Sequence, residues 1–231
     1  MEQEFVIHKW SSWPLASVDQ ASLDQKVILA SIPLMLRRRL SPLAKDIFCA
    51  IINCIGNNKN LPVVFSSSHG ELAKSFKMME ELEQGGEISP TAFSLSVHNA
   101  IAGLFSIVYK NKLPYTVVAP GEEGITVAFI EALGLLYEGA ENTLVVMYDE
   151  PLVDFYTSTP FKVSTKESCV VALLISKSGP GLSLSLIHSD KTGDDGEHAL
   201  QIPMLLNFLN GNEKGLIIHS ARHSWAFSKV D

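Results

Sequence analysis

Apolar runs and amphipathic stretches follow one another along the chain in an order that predicts alternating strands and helices. In "RRRLSPLAKDIFCAIINCIGNN", Ser41 can cap a helix and Pro42 suits its first position. Leu43, Ile47, Ile51 and Cys54 then fall on one stripe, and Gly56, Asn57 and Asn58 end the helix. "LPVVFSSS" predicts a short buried strand, and "ELAKSFKMMEELEQGG" a charged surface helix closed by Gly85 and Gly86. Ser89, Pro90 and Thr91 open a helix through "AFSLSVHNAIAGLFSIVYKNK", in which Phe93, Val97, Ile101, Leu104 or Phe105, and Val108 recur at helical spacing. Gly103, with Ala100, Ala102 and Ser106, paves a second face that another backbone can approach closely. The strand "YTVVA", the helix "GITVAFIEALGLLYEG" and the strand "TLVVMYDE", with two carboxylates at its end, come next.

Strands this continuously apolar are the mark of a mainly parallel sheet covered by helices on both faces. The expected fold class is therefore α/β, with a mixed, mostly parallel five-stranded sheet whose strands lie near residues 61–66, 114–119, 142–148, 167–177 and 182–188. From "ESCVVALLISKSGPGLSLSLIHSD" onward the pattern becomes two β runs around Gly179-Pro180-Gly181, a hairpin signal. "DKTGDDGEH" reads as a polar loop, and residues 199–231 as a short helix, a final strand and a tail, forming a small C-terminal β/α extension. No internal repeat or low-complexity linker divides the chain, so residues 1–231 read as a single domain.

Charge narrows the functional classes. A net charge of −7 and a pI near 5.5 argue against a general nucleic-acid-binding protein, which needs a basic face. Cys49, Cys54 and Cys169 lack the spacing of a zinc site or a disulfide framework, and a reduced, cytoplasmic setting is expected. Glu2 and Glu4 stand where a signal peptide would be basic. The apolar run at residues 27–36 is interrupted by Ser31 and Pro33 and is far short of the ~20 residues that span a bilayer.

Candidate chemistry centres on a turn. "PYTVVAPGEEGITVAFIEALGLL", residues 114–136, has the form of a strand turning sharply into a helix, where many α/β enzymes hold a nucleophile. The elbow reads Ala119-Pro120-Gly121-Glu122-Glu123-Gly124, with neither Cys nor Ser in place. Glu122 and Glu123 suit the first turn of a helix, where carboxylates complement its dipole. "SSSHGE", residues 66–71, offers Ser, His and Glu together, but reads as a helix start because a triad is assembled from separated loops. His219 and His223 stand four apart on a segment that begins as a strand, without a third ligand, so no metal site is expected. Arg37, Arg38 and Arg39 form the densest positive charge and suit an anionic partner or plain solvent exposure.

Taken in order, "LRRRLSPLAKDIFCAI", "SSSHGE", "SPTAFSLSVHNAIAGLFSI", "PYTVVAPGEEG" and "TLVVMYDEP" resemble the N-terminal half of β-ketoacyl synthases, the condensing enzymes of the thiolase fold. The "SVHNAIAG.FSI" stretch is the most specific part, and the resemblance covers about residues 27–177. It is similar in particular to the short chain-length-factor-like subunits of type II polyketide and aryl polyene pathways. The resemblance implies half of a thiolase-like fold. A ketosynthase elbow carries Cys in a motif like ACASG; aligning Gly124 with the motif glycine puts Gly121 where that Cys would stand, with Glu122 and Glu123 after it. The family's HGTGT and NxFGFGG motifs are not found in this sequence.

The resemblance therefore implies a subunit without catalysis of its own, paired with a full-length β-ketoacyl synthase whose acyl tunnel it helps to bound. Gly121, Glu122, Glu123 and Gly124 would lie at the tunnel. Phe93, Val97, Asn99, Gly103, Phe105, Ser106 and Tyr109 on the long helix would meet the partner, with Phe93, Phe105 and Tyr109 exposed, together with Thr116, Val117 and Val118 on the strand. Arg37, Arg38 and Arg39 would receive the acidic acyl carrier protein. No cofactor is implied. Two other functions fit less of the pattern: a stand-alone acyl-thioester hydrolase or acyltransferase using Ser66, Ser67 or His69, and a degraded half-fold with an unrelated binding role.

Overall fold

The computed structural model describes residues 2–13, 24–153, 168–194, 201–220 and 222–230. Its strands are β1 (Glu2–Trp13), β2 (Val63–Ser66), β3 (Tyr115–Val118), β4 (Thr143–Asp149), β5 (Cys169–Ser176), β6 (Leu182–Asp190), β7 (Gly215–His219) and β8 (His223–Lys229). Its helices are α1 (Gln25–Ala30), α2 (Leu34–Arg37), α3 (Pro42–Ile55), α4 (Leu72–Glu83), α5 (Pro90–Ser94), α6 (Ala100–Tyr109), α7 (Thr126–Tyr137) and α8 (Gln201–Asn210). All eight strands join one sheet in the order β3-β2-β4-β5-β1-β6-β8-β7. None of the helices among the described residues is long and apolar enough to cross a membrane.

Alternation along the central strands builds a core on each face of this sheet. Val145 and Met147 of β4 pack with Phe129 and Leu133 of α7 and with Phe208 of α8. Leu144, Val146 and Tyr148 of the same strand pack oppositely, with Ile47 and Phe48 of α3 and Phe105 of α6. Helix α3 starts as its sequence dictates: Ser41 Oγ accepts the Ala44 N–H at 3.0 Å, Pro42 occupies the first turn, and Gly56 at φ +57° ends it.

The expected mostly parallel five-stranded sheet is corrected on both counts. Among the described residues only β2 pairs in parallel, with β3 and with β4, and every other pairing is antiparallel. A continuous apolar run reports helices on both faces, and β5 satisfies that while running antiparallel between β4 and β1. The sequence reading has no strand at β1, whose short apolar centre Phe5-Val6-Ile7 is flanked by polar residues. The expected tail, "HSWAFSK", is β8, an internal strand between β6 and β7, so the extension continues the main sheet. Residue 167 of the expected fourth strand, residues 195–198 of the polar loop and residues 199–200 of the expected helix lie outside the described residues.

The single helix expected after Ser89 is two helices. Ser94 and Ser96 turn their hydroxyls onto the carbonyls of Thr91 and Phe93, and α5 ends before Leu95. The break reorients the exposed-face assignment. Phe93 is 58% exposed and Val97 41%, but Phe105 is 1% exposed, with its ring against Phe48, Phe65 and Tyr109. Tyr109 is half-buried, its ring also meeting Phe48 and the Lys59 ammonium. Phe105 and Tyr109 are thus core residues of this chain, because α6 turns Ile101, Leu104 and Phe105 inward. Phe105→Ala should cost about 3–5 kcal/mol of stability in denaturant titration; a loss below about 1 kcal/mol would place that ring outside the core.

Candidate functional site

The elbow sits at the end of an edge strand. Among the described residues β3 pairs only with β2, which makes it the edge strand of the sheet. After it the chain makes a 3-10 turn, Gly121–Glu123, and enters α7. Gly121 and Gly124 hold φ at +55° and +71°, the left-handed region that glycine tolerates best. A Cβ built on Gly121 meets nothing within 4 Å, so a side chain there would project into open space. Strand, tight turn and helix follow one another here as the sequence predicts, and the residue at position 121 is glycine.

The C-terminal segment holds this turn in place. The Ile125 N–H donates to Oε1 of buried Gln201 at 3.1 Å, and Gln201 Nε2 donates to the His219 carbonyl at 3.2 Å. Arg222 Nε donates to Glu123 Oε1 at 2.6 Å. Desolvation opposes ionisation of Glu123, but hydrogen bonds from Arg222 and Ser220 outweigh it and keep its carboxyl below the ordinary value. Glu123 is therefore a committed ion-pair partner, and Glu122 is exposed beside it. No thiolate is available nearby. Cys49, Cys54 and Cys169 are all buried, and desolvation pushes each thiol up to about 12.

A second set of polar groups gathers at the C-terminal ends of β2 and β4, beside the elbow strand. Ser67 Oγ donates to Asp149 Oδ1 at 3.0 Å, and the Ser68 N–H donates to the same oxygen at 2.8 Å. Ser67 Oγ also accepts the Gly70 N–H at 2.7 Å. A Ser67 nucleophile would have to break its bond to Asp149 before a histidine could take the proton. Gly70, at φ +60°, lets His98 come close: an added Cβ would lie 2.7 Å from His98 Nδ1. His98 Nε2 in turn lies 3.3 Å from the Val118 carbonyl at the end of β3. Glu71 is buried and paired with Lys74 at 2.8 Å.

The remaining expected residues scatter more widely. Asn99 is exposed, Gly103 opens onto free space, and Ser106 Oγ donates to the Asn111 carbonyl. Thr116, Val117 and Val118 are half-buried on β3, with Val117 and Val118 packed into opposite cores. Arg37 reaches back to the Leu29 carbonyl, while Arg38 and Arg39 are exposed. His219 ends β7 and His223 begins β8, with His219 Nδ1 2.7 Å from Ser224 Oγ, so their spacing spans a hairpin turn. Among the described residues, no group of three or more His, Cys, Asp or Glu side chains could hold a metal ion. Gln201, Arg222 and Asp149 were not among the expected site residues. Only Asp149 had a signal, a carboxylate at the end of a buried strand.

Burial raises the Asp149 carboxyl to about 6, against the hydrogen bonds from Ser67, Ser68 and His69 that favour its anion. Since the folded-state value lies above the ordinary 3.8, the folded protein holds this proton more tightly than the unfolded chain. The contribution to stability is greatest below about pH 4 and is lost as pH rises through about 6. Across that window Asp149→Asn, which keeps a carbonyl acceptor, should escape a loss of up to about 3 kcal/mol seen in the parent. Urea titrations at about pH 4 and about pH 7 measure it, and parallel pH dependence in the two proteins would refute the assignment.

Comparison with known proteins now has a geometry to meet. Residues 10–228 match the family model described as beta-ketoacyl synthase, N-terminal domain. A chain of the ketosynthase (ApeO) in complex with its chain length factor (ApeC) from Xenorhabdus doucetiae aligns with a TM-score of 0.76 at 24% identity, over 97% of this chain and 98% of that one. A chain of AntDE:AntF, a type II PKS acyl-carrier protein in complex with its ketosynthase bound to the hexaketide, aligns over 100% of both with a TM-score of 0.63 and 10% identity. The ishigamide ketosynthase/chain length factor gives a TM-score of 0.60 and 15% identity over 83% of this chain and 68% of that one. No curated protein matches the chain. At these identities the structural likeness is one of fold, and it agrees with the expected half of a thiolase-like architecture. The match over residues 10–228 settles the family: this chain is a member of the β-ketoacyl synthase N-terminal domain family.

Proposed function

We propose that the chain is a chain-length-factor-like, non-catalytic subunit that forms a heterodimer with a full-length β-ketoacyl synthase in the cytoplasm. In that complex it shapes the acyl tunnel during chain elongation of the polyketide, fatty-acid or aryl polyene type. One observation carries this reading: the elbow keeps its strand, its turn and its helix, yet the residue aimed into open space is Gly121. A mounting retained without its nucleophile is explained when the mounting is itself the contact surface. The free side of β3 offers backbone donors and acceptors to a partner strand, and Thr116, Val117 and Val118 lie along it. The fold likeness to chains of ketosynthase and chain length factor complexes supports the same assignment.

Within this reading α5, the turn after it and α6 face the partner through Phe93, Val97, Asn99, Gly103 and Ser106. Burial moves the tunnel-shaping role from Phe105 to exposed Phe93 and Val97, with Gly121, Glu122, Glu123 and Gly124 closing the wall. Arg37, Arg38 and Arg39 belong to the carrier-protein side of the complex.

Co-expression with a full-length β-ketoacyl synthase from the same source, followed by size-exclusion chromatography, should give a heterodimer. Val97→Trp or Phe93→Ala should shift product length while condensation continues. A monodisperse monomer that ignores the ketosynthase would retire the reading in favour of an unrelated binding role. Alone, the chain should neither take up acyl groups from thioesters nor condense malonyl units, because thioester exchange needs an activated thiolate. Intact-mass spectrometry after incubation with acyl thioesters should show an unmodified chain; stoichiometric acylation of Cys49, Cys54, Cys169 or Ser67 would overturn the non-catalytic assignment.

A further inference from the structure

Helix α7 leaves the elbow and, toward its other end, covers a cavity of about 520 Å³ against the sheet. Ile130, Leu133, Gly134 and Tyr137 line it from the helix at positions i, i+3, i+4 and i+7, one face. Leu186 and His188 of β6 and Trp225 of β8 form the facing wall, and Gln3 of β1, paired with Leu186, stands beside them. The walls are mostly apolar, and no Asp, Glu, Lys or Arg is among the lining residues. Trp225 and His188 set their ring centroids 5.4 Å apart, with the planes tilted by 38°. The Tyr137 hydroxyl donates to Gln3 Oε1 and ties the helix to β1, and its ring is held by Lys177 Nζ at 4.7 Å. Two features of this wall have no account in the chain's own packing. Gly134 stands inside a helix, where glycine is weaker than alanine, yet its φ is not left-handed and an added Cβ would meet nothing within 4 Å. Its missing side chain gives only room. The Trp225 Nε1–H is buried with no acceptor among the described residues, whereas a buried indole N–H ordinarily has one.

We infer that this cavity is a binding site for an uncharged, flat, largely apolar small molecule that carries one carbonyl or hydroxyl oxygen. Its volume and its apolar walls with a few polar groups are those of a small-molecule site. The flat body would lie over the helix backbone at Gly134, where any side chain would obstruct it, and against the rings of Trp225 and His188. Its oxygen would accept the Trp225 Nε1–H once that ring turns toward it, giving the buried donor the partner it lacks. An anion is disfavoured: the lining holds no Lys or Arg, Glu131 and Glu138 are exposed on the same helix, and the chain carries a net charge of −7. The link from Tyr137 to Gln3 spans from helix to sheet, which suits an inserted molecule better than a peptide laid along a groove. The cavity is separated from Gly121–Gly124 by the length of α7, and its assignment does not rest on the chain-length-factor reading.

The test titrates the full chain with Nile red, a neutral flat dye with one ring carbonyl, and follows the blue shift and rise of its emission. One saturable site per chain is expected, and Gly134→Leu, which fills the cavity, should weaken it on the order of 10-fold. Leucine is the better helix former and its Cβ meets nothing at this position, so the Tm of that variant should not fall. Trp225→Phe, which keeps a ring in the wall and removes the donor, should weaken binding several-fold. Ile217→Ala, a change at an exposed apolar residue of β7, should leave the affinity unchanged. Anilinonaphthalene sulfonate, aromatic but anionic, should bind about 10-fold more weakly than Nile red. Binding that never saturates, or that survives Gly134→Leu with Tm unchanged, would overturn the inference in favour of adsorption on exposed apolar surface. Should the leucine chain unfold, Gly134→Ala takes its place, and an affinity equal to the parent's overturns the inference. Equal binding of the anionic dye, or full affinity in Trp225→Phe, would refute the uncharged, oxygen-bearing class of ligand.

Discussion

Pairing of residues 2–13 on both sides makes the sheet one body. β1 runs antiparallel to β5 from Val6 opposite Ser176 to Trp13 opposite Val170, and to β6 from Glu2 opposite Ile187 to Ile7 opposite Leu182. It thereby joins the half that carries the elbow, β3-β2-β4-β5, to the half β6-β8-β7. The register shifts between Ile7 and Lys9, and there His8 reaches the β5–β6 turn, with Nδ1 2.7 Å from the Pro180 carbonyl oxygen and Nε2 2.6 Å from Ser176 Oγ. Gly181 passes so close to Ile7 that an added Cβ would fall 2.4 Å from its carbonyl oxygen. The elbow's position relative to Gln201 and Arg222 follows from this junction, since those residues lie in the C-terminal segment that completes the second half.

What the sequence shows plainly is what local chemistry decides. Ser41, Pro42 and Gly56 punctuate α3, and the continuous apolar runs of β4 and β5 mark strands buried on both faces. Strand direction is not local: β5 could run either way between two cores, and its antiparallel pairing with β4 and β1 joins segments far apart in the sequence. β1 itself escapes notice because Glu2, Glu4, His8 and Lys9 surround three apolar residues. The split of the helix after Ser89 turns on two serine hydroxyls, a competition that hydrophobic spacing does not register.

The site divides the same way. The elbow is readable because a strand, two glycines and a helix occur in sequence, and the absence of Cys and Ser from residues 119–124 is a matter of residue identity. Its supports are not readable: Gln201 is an ordinary polar residue at the start of a helix until folding places its amide between the Ile125 N–H and the His219 carbonyl. Phe105 shows the opposite case: helical spacing alone allows a surface position for this aromatic residue, and α6 turns it into the core. Exposure depends on the tilt of α6 against α3 and β2, and periodicity gives the stripe without saying which stripe faces inward.

The backbone at Gly121 carries a consequence for which residues the turn admits. At φ +55°, any L-residue with a Cβ holds a left-handed conformation that costs about 1–2 kcal/mol. A residue with a side chain on this turn is therefore held against its own preference by the surrounding fold, whereas glycine sits there at rest. Replacing glycine must climb that conformational cost and replacing another residue by glycine releases it, so the turn works as a ratchet: glycine is its more comfortable occupant.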